Sequence, residues 1–291
     1  EGGRIQRFKD GFTVLPSFGE IGRLYDDDEE FAESLSAACG FVSGYELSKI
    51  GVDVNFSPVV DIKHFSGQLL HDRCFGEHAA KVRRLASSYI SASTLARTIP
   101  VIKHFPGHGV TDGDTHIDHI SSDLTLEDML DEDLIPFIDI QSSYDIPIMT
   151  SHIKFPKVDE KIITYSQKWL TDISKKIFPK KPCFISDDIE MKAATNNETI
   201  TQRVISALEA GCNMVIATTM LQQDIIKSKK SFEYFKKYYL AQELIDYCKD
   251  FCNDEIMAMV ESPHWGVDSF DNESREEQYK EQLSVINKYK S

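Results

Sequence analysis

The 291-residue chain lacks long apolar runs. Its longest apolar stretch, Val52–Ile62, contains Asp53 and Asn55, whereas a membrane-spanning helix needs about 20 consecutive apolar residues. We therefore expect no membrane contact. Apolar residues make up 41% of the chain and charged residues 27%, a composition typical of a globular protein with room for one large α/β barrel or two ordinary domains.

Positive charge is also scarce, since 32 Lys and Arg residues face 47 Asp and Glu residues and the formal net charge is −15. A nucleic-acid-binding surface needs clustered basic side chains that displace counterions from phosphate. The charge balance therefore disfavours a nucleic-acid partner. An acidic balance by itself mostly favours solubility.

The six cysteines are scattered, and only Cys248 and Cys252 lie one helical turn apart. No second pair completes a metal-binding spacing, so structural thiols in a reducing compartment are expected. The chain begins Glu1-Gly2-Gly3, with neither an initiator Met nor a signal peptide. We expect that it starts inside a longer protein or was processed.

Short apolar runs alternate with amphipathic stretches of helical length from Val52 onward. The predicted strands are Val52–Ile62, Ile99–His104, Ile146–His152, Pro182–Asp187 and Asn213–Thr218. The predicted helices are Glu77–Arg97, Thr125–Ser142, Ser166–Phe178 and Thr199–Ala210. Such alternation indicates an α/β fold with a parallel sheet, either a closed (β/α)8 TIM-type barrel or an open doubly wound sheet.

Polar residues at the strand ends favour the barrel, because a barrel gathers the C-terminal ends of all its strands around one site. These residues are Asp61, Lys103–His104, Ser151–His152 and Asp187–Asp188. Only five strands are present, so the first three are expected upstream of Glu1. Beyond Leu221 the sequence predicts helices such as Ser231–Cys252 and Glu273–Tyr289. We therefore assign residues 1–222 to a partial barrel and residues 223–291 to a C-terminal helical segment packed on it.

The run Lys103-His104-Phe105-Pro106-Gly107-His108-Gly109 ends a predicted strand with a cation and an imidazole. His104 and His108 have the spacing of a helical zinc pair, but Pro106 and Gly107 prevent a shared helix face. The side chains are either hydrogen-bond donors aimed into a cleft, or a core histidine with a lysine in a salt bridge.

A loop follows in which carboxylates and imidazoles are crowded between Thr111 and His119. One interpretation is a metal site. A second is a dyad in which Asp114 orients the imidazole of His116 and raises its basicity. A third is a solvated acidic turn.

Two adjacent carboxylates, Asp187 and Asp188, close the apolar strand Pro182–Asp187. Burying an unpaired charge there would cost several kcal/mol, so the placement indicates a site. Strand side chains alternate, so only one of the two carboxylates points inward. Arg73, after the first predicted strand, is either a surface ion-pair partner or a planar fork for sugar hydroxyls or a carboxylate.

The order of these motifs resembles glycoside hydrolase family 3, in its β-N-acetylglucosaminidase branch. The resemblance runs from Glu1 to about Thr219 and rests on Glu1-Gly2-Gly3-Arg4-Ile5-Gln6-Arg7-Phe8, Phe56-Ser57-Pro58-Val59-Val60-Asp61, Arg73-Cys74-Phe75-Gly76, Lys103-His104-Phe105-Pro106-Gly107-His108-Gly109, Asp114-Thr115-His116, Met149-Thr150-Ser151-His152 and Ser186-Asp187-Asp188-Ile189-Glu190-Met191. The lysine-to-glycine run with the following Asp-x-His is highly specific to this branch.

The resemblance implies a role for individual residues. Asp187 would be the nucleophile, His116 the acid/base and Asp114 its tuning partner. Four residues would bind sugar: Arg7, Arg73, Lys103 and His104. A further sugar-binding Asp of the family would lie two residues before Glu1.

The implied activity is that of a retaining exo-β-N-acetylglucosaminidase, which removes terminal β-linked GlcNAc, from muropeptides in cell-wall recycling, by double displacement. Alternatives are an N-acetylglucosaminide phosphorylase, an inactive sugar-binding fragment, and a metal-dependent hydrolase using the 112–119 cluster. The resemblance implies a cytoplasmic monomer with a small carbohydrate substrate and without cofactor or metal.

Overall fold

The structure is a computed structural model, and it describes residues 1–64, 70, 72–111, 113–196, 198–218 and 272–290. The strands are β1 (Val54–Asn55), β2 (Ile99–Pro100), β3 (Ile102–Phe105), β4 (Ile148–Thr150), β5 (Lys154–Phe155), β6 (Asp159–Ile162), β7 (Phe184–Asp188) and β8 (Met214–Ile216). The α-helices are α1 (Phe18–Asp27), α2 (Glu29–Lys49), α3 (Ala79–Leu95), α4 (Leu126–Asp131), α5 (Ile135–Ser143), α6 (Ser174–Ile177), α7 (Ile200–Ala210) and α8 (Asn272–Lys290).

The central strands are parallel and adjacent in chain order. β1 pairs with β2, Val59 forms a parallel bridge with Lys103, and the order then continues β3-β4-β7-β8. A doubly wound sheet would reverse its order at a switch point, and no reversal occurs among the described strands. The predicted α/β class with a parallel sheet is confirmed, and all five predicted strand regions contain strands.

The two faces of this sheet carry different side chains. On one face Val101, Met149 and Ile185 form a small cluster with Val54 and Ile216. The alternate strand residues Ile102, Ile148 and Phe184 belong instead to the main hydrophobic core beneath the helices. Because strand side chains alternate, the small cluster defines the inner face of the sheet.

Two long helices precede the sheet, in a part of the chain where no element was predicted. Ser17 caps α1 through a capping box with Glu20, and Asp28 caps α2. Within α2, Gly40 lies so close to α3 that a Cβ there would sit 2.2 Å from the carbonyl oxygen of Tyr89. The absence of a side chain therefore permits tight α2–α3 packing.

Several predicted elements are interrupted. The predicted helix Thr125–Ser142 is wrong as one unit, because α4 ends at Asp131 and α5 begins at Ile135. Pro136 is the second residue of α5 and has no N–H for an interior helical bond. The predicted helix Ser166–Phe178 is a π-helical turn at Lys168–Ile173 followed by α6. By contrast, the predicted helix Thr199–Ala210 is confirmed as α7, which follows a Thr199 capping box and is ended by Gly211 with φ 127°.

Helix α8 matches the predicted helix Glu273–Tyr289 and packs against α2. Its Tyr279 hydroxyl donates to Glu46 at 2.7 Å, and its Lys290 ammonium donates to the Val14 carbonyl at 2.7 Å. The predicted helix Ser231–Cys252 lies outside the described residues. No helix in the described ranges is long and apolar enough to cross a membrane.

Candidate active site

The polar strand ends lie at the carboxyl edge of the parallel sheet. There Glu1 joins two of the predicted sugar-binding residues. Its carboxylate accepts from Arg73 Nε at 2.7 Å and Arg73 Nη2 at 2.9 Å, and lies 2.5 Å from Lys103 Nζ. Burial alone would raise the pKa of the Glu1 carboxyl, but Lys103 and Arg73 hold it well below its usual value. Glu1 therefore fixes both cations and leaves other N–H groups of each free to donate.

Asp61, which follows β1, organises the histidines of the next strand end. One carboxylate oxygen accepts from the backbone N–H groups of His104 and His108, at 3.0 and 2.7 Å, and the other lies 2.7 Å from His104 Nδ1. Asp61 is fully buried. Burial would raise the pKa of its carboxyl, but His104 and His108 lower it overall. The two histidines thus share one carboxylate, through the backbone N–H of both and through Nδ1 of His104.

Asp187 lies on the inner face, two residues after Ile185 in β7. Burial would raise the pKa of the Asp187 carboxyl, but His104 and His152 beside it lower the pKa overall. Asp187 is therefore an ionised carboxylate at neutral pH in a largely enclosed setting. An ionised, enclosed carboxylate of this kind is suited to nucleophilic attack.

Asp188 is used differently from its neighbour. One of its carboxylate oxygens accepts from the backbone N–H of Glu190 at 3.0 Å, and the other accepts from the hydroxyl of Thr218. Its own backbone N–H donates to Asp187 Oδ1 at 2.8 Å. The Asp188 carboxylate is therefore occupied by hydrogen bonds to Glu190 and Thr218. Strand periodicity alone did not show which of the two adjacent carboxylates has this structural role.

Asp114 and His116 form the predicted pair on the loop after β3. Asp114 Oδ1 accepts from the backbone N–H of His116 at 2.8 Å and lies 2.9 Å from His116 Nδ1. Burial tends to raise the pKa of the Asp114 carboxyl, but the bonds to His116 lower it. The His116 ring is 61% exposed, so its Nε2 is open to a substrate.

Thr115, between the two members of the pair, anchors the loop to the site. Its carbonyl accepts from the backbone N–H of Ala193 at 3.0 Å, a few residues beyond Asp187. Its hydroxyl lies 3.2 Å from His108 Nε2. Burial lowers the pKa of His108 to about 4, so this ring is neutral at pH 7. The loop that carries the dyad is thereby tied to the strand ends that carry His104 and Asp187.

Arg7 lies on the exposed loop after the first helical turn, Gly3–Ile5. With Glu1, Arg73 and Lys103 it lines a cavity of about 380 Å³. Three of the four predicted sugar-binding residues therefore share one cavity. His104 follows Lys103 in β3 and lies beside Asp61 and Asp187.

A metal site was an alternative for the 112–119 loop. Asp112 lies outside the described residues. Within the ranges that the structure describes, no three His, Cys, Asp or Glu side chains converge on a common point.

Three partners at the site were not predicted as such: Glu1, Asp61 in its bridging role, and the Thr164 hydroxyl beside His152. The sequence separations are 72 residues for Glu1 and Arg73, 43 for Asp61 and His104, and 12 for Thr164 and His152. The sequence marked Asp61 as a polar residue at the end of a predicted strand. It did not indicate that Asp61 would bond to His104 and His108.

Comparison with known proteins gives a consistent assignment. Residues 1–247 match the glycosyl hydrolase family 3 N-terminal domain. A β-hexosaminidase of Nitrosomonas eutropha is 38% identical over 216 residues, 74% of this chain and 62% of the relative. A β-hexosaminidase of Hydrogenovibrio crunogenus is 33% identical, over 74% of this chain and 60% of the relative.

Among solved structures, NagZ from Neisseria gonorrhoeae in complex with N-trifluoroacetyl-D-glucosamine is similar at 27% identity and a TM-score of 0.78. The match covers 98% of this chain and 79% of that one. The chain thus spans about three fifths of the length of the curated relatives that it matches.

Proposed function

The chain belongs to glycosyl hydrolase family 3, and from that premise we propose that it acts as a retaining exo-β-N-acetylglucosaminidase. The observation that carries the proposal is the setting of Asp187. It is a carboxylate with a lowered pKa on the inner face of the sheet, beside two imidazoles, while Asp188 is held away by Glu190 and Thr218.

The proposed reaction is a double displacement. Asp187 attacks the anomeric carbon as His116 Nε2–H protonates the departing glycosidic oxygen, which gives a glycosyl ester on Asp187 and a free alcohol. His116, now neutral, removes a proton from water, whose oxygen attacks the anomeric carbon. The ester bond breaks, and the Asp187 carboxylate and the imidazolium are restored. Asp114 orients the His116 ring in both steps, as its 2.9 Å contact supports.

The proposed substrate is a terminal β-linked GlcNAc, with GlcNAc-containing muropeptides of cell-wall recycling as the natural source. Arg7, Arg73, Lys103 and His104 would donate to its hydroxyls. The cavity shared by Arg7, Arg73 and Lys103 supports this proposal, as does the similarity to a structure that holds a glucosamine derivative.

The remaining parts of the proposal concern architecture and setting. The uninterrupted parallel strand order supports a (β/α)8 barrel to which three further strands contribute. We further propose that residues 1–222 belong to the barrel and that residues 223–291 pack on it, as the contacts of α8 with α2 support. A cytoplasmic monomer is the proposed state.

A chromogenic test addresses this function directly. The protein should release nitrophenol from 4-nitrophenyl N-acetyl-β-D-glucosaminide and show little release from the corresponding β-glucoside. The assay is run with and without inorganic phosphate. Free GlcNAc in both assays supports hydrolysis, GlcNAc 1-phosphate in the phosphate assay would indicate a phosphorylase, and no release in either would contradict the proposal.

A further inference from the structure

A fully enclosed histidine lies directly behind the proposed nucleophile. His152 follows β4, is 1% exposed, and has both ring nitrogens in contact with protein atoms. Nε2 lies 2.9 Å from the carbonyl oxygen of Asp188, and Nδ1 lies 2.8 Å from the hydroxyl of Thr164. Neither nitrogen is available to a substrate, so any role of His152 in the reaction is exerted through its neighbours.

The first contact fixes the tautomer of the ring. A carbonyl oxygen only accepts hydrogen bonds, so Nε2 carries the hydrogen and donates it to Asp188. The same carbonyl also accepts from the backbone N–H of Met191 at 3.0 Å, which uses both of its lone pairs. Asp188 is therefore held at its carbonyl by His152 and at its N–H by the Asp187 carboxylate, 2.8 Å away.

The hydroxyl of Thr164 determines what Nδ1 does. This oxygen lies 2.8 Å from Thr150 Oγ1, 2.8 Å from His152 Nδ1 and 3.0 Å from the carbonyl of Ser151. It has only one hydrogen to donate. If that hydrogen goes to Nδ1, the imidazole is neutral. If it goes to Thr150 or to Ser151, then Nδ1 must itself carry a hydrogen for its contact with Thr164 to be a hydrogen bond, and the ring is an imidazolium.

The charges around the ring select the neutral form at neutral pH. Burial lowers the pKa of His152, and the carboxylates of Asp187 and Asp188 and the Asp188 carbonyl only partly offset this, while His104 opposes protonation. The Thr164 hydrogen therefore points at Nδ1. In this arrangement the hydroxyl aligns the ring from one side and the ring aligns Asp188 from the other.

We propose that His152 is a positioning residue for Asp187: a neutral Nε2–H imidazole, set by Thr164, that fixes Asp188 and so the carboxylate to which Asp188 donates. The inference rests on the proposed function for the role of Asp187 as nucleophile. On this proposal, His152 and Thr164 orient the attacking carboxylate of Asp187 although neither of them contacts the sugar.

Two substitutions at position 152 test the positioning role. In His152→Gln, the side-chain N–H can still donate to Asp188 and the side-chain oxygen can still accept from Thr164, so activity should stay close to that of the wild type. In His152→Leu both bonds are lost, and kcat should fall on the order of 10²-fold with KM nearly unchanged. His78→Gln is the matched control, since His78 is exposed and makes no side-chain cap bond.

The leaving group separates this defect from a loss of acid catalysis. A misplaced nucleophile slows attack whatever departs, so the His152→Leu loss should be similar for aryl N-acetylglucosaminides with good and with poor leaving groups. A loss confined to poor leaving groups, or a His152→Leu variant as active as His78→Gln, would overturn the proposal. If His152→Leu does not melt cooperatively, the isosteric Thr164→Val carries the same prediction.

A measurement without turnover tests the hydrogen-bond arrangement separately. In ¹⁵N-labelled wild-type protein, the imidazole signals that disappear in His152→Gln should report a neutral Nε2–H tautomer at pH 7. An Nδ1–H tautomer or an imidazolium would overturn the inferred arrangement. Absence of wild-type turnover would instead contradict the proposed function and the catalytic half of this inference, while the tautomer result would still decide the structural half.

Discussion

At the scale of single residues, His116 and Asp187 are held in opposite ways. His116 is mostly exposed on a loop, and its backbone N–H and its Nδ1 both contact the nearby Asp114. Asp187 is enclosed at the end of β7, and its charge depends on histidines from two other strand ends. Substitutions at the two positions should therefore differ in their effects on stability and on substrate dependence.

His116→Ala should slow hydrolysis strongly for substrates with poor leaving groups and only weakly for 2,4-dinitrophenyl N-acetylglucosaminide, whose departure needs no proton. The change should leave the free energy of unfolding within about 0.5 kcal/mol, because the ring is exposed. Steady-state kinetics over a series of aryl leaving groups, with thermal melting, measures both. An equal loss for all leaving groups would contradict the assignment of His116 as the acid.

Asp61→Asn should lower the free energy of unfolding at pH 7 by about 3 kcal/mol, because the buried Nδ1 of His104 loses its charged partner. The pKa of Asp61 is lowered in the folded state. Its stabilisation is therefore present above the usual carboxyl pKa and is lost as pH falls below about 4.

Denaturant unfolding between pH 3 and pH 7 checks this prediction. The decline in stability toward low pH should be shallower in Asp61→Asn than in the wild type. Parallel curves for the two proteins would show that the Asp61–His104 contact does not stabilise the fold through the charge of Asp61.

The placement of residues was predictable from the sequence where a motif carried it, as for Lys103 and His104 at a strand end and for the contact between Asp114 and His116. Other contacts were less predictable. Periodicity left Asp187 and Asp188 equivalent, and the inner-face cluster around Ile185 was needed to separate them. The bond of Thr164 to His152 and that of Asp61 to His104 depend on how separate segments meet in the folded chain, which local sequence does not encode.

At the scale of elements, α8 braces the loop that carries Arg7. Glu46 of α2 accepts from the backbone N–H and hydroxyl of Thr13 and from the hydroxyl of Tyr279. The helix thus reaches, through one carboxylate, a loop that lines the cavity shared with Arg73 and Lys103. Helix α8 therefore helps to hold the loop that lines this cavity.

Tyr279→Phe should remove one hydrogen bond and lower the free energy of unfolding by about 1 kcal/mol. Because the Arg7 loop loses a support, KM for the N-acetylglucosaminide should rise while kcat changes little. The exposed Glu277→Gln on the same helix is the control. Unchanged KM in Tyr279→Phe, with the expected loss of stability, would show that the brace has no influence on binding.

Elements with strong local signals were predictable, as α7 shows with its Thr199 cap and Gly211 stop. The boundary between α4 and α5 was missed although Pro136 marks it, because apolar periodicity continues across the break. Strand β1 is shorter than the predicted Val52–Ile62, since Pro58 has no N–H to donate to a neighbouring strand. Apolar periodicity identifies where an element lies, and proline, glycine and capping residues determine where it begins and ends.

At the scale of the whole molecule, the proposed reaction is carried by side chains alone. Each step is assigned to Asp187 or His116, and within the ranges that the structure describes no three His, Cys, Asp or Glu side chains are placed to hold a metal ion. We therefore expect that incubation with EDTA followed by desalting leaves turnover of the chromogenic substrate unchanged. Activity lost in this treatment and restored by zinc or manganese would favour metal-assisted hydrolysis instead.

The central claim is that Asp187 forms a covalent glycosyl ester, and trapping tests it most directly. A fluorinated N-acetylglucosaminyl donor with a good leaving group should accumulate as an adduct, which peptide mass spectrometry would locate on Asp187. The Asp187→Asn variant should remain unlabelled and should lose turnover by about 10⁴-fold or more. An adduct on Asp188, or full turnover without any adduct in the wild-type protein, would contradict the account.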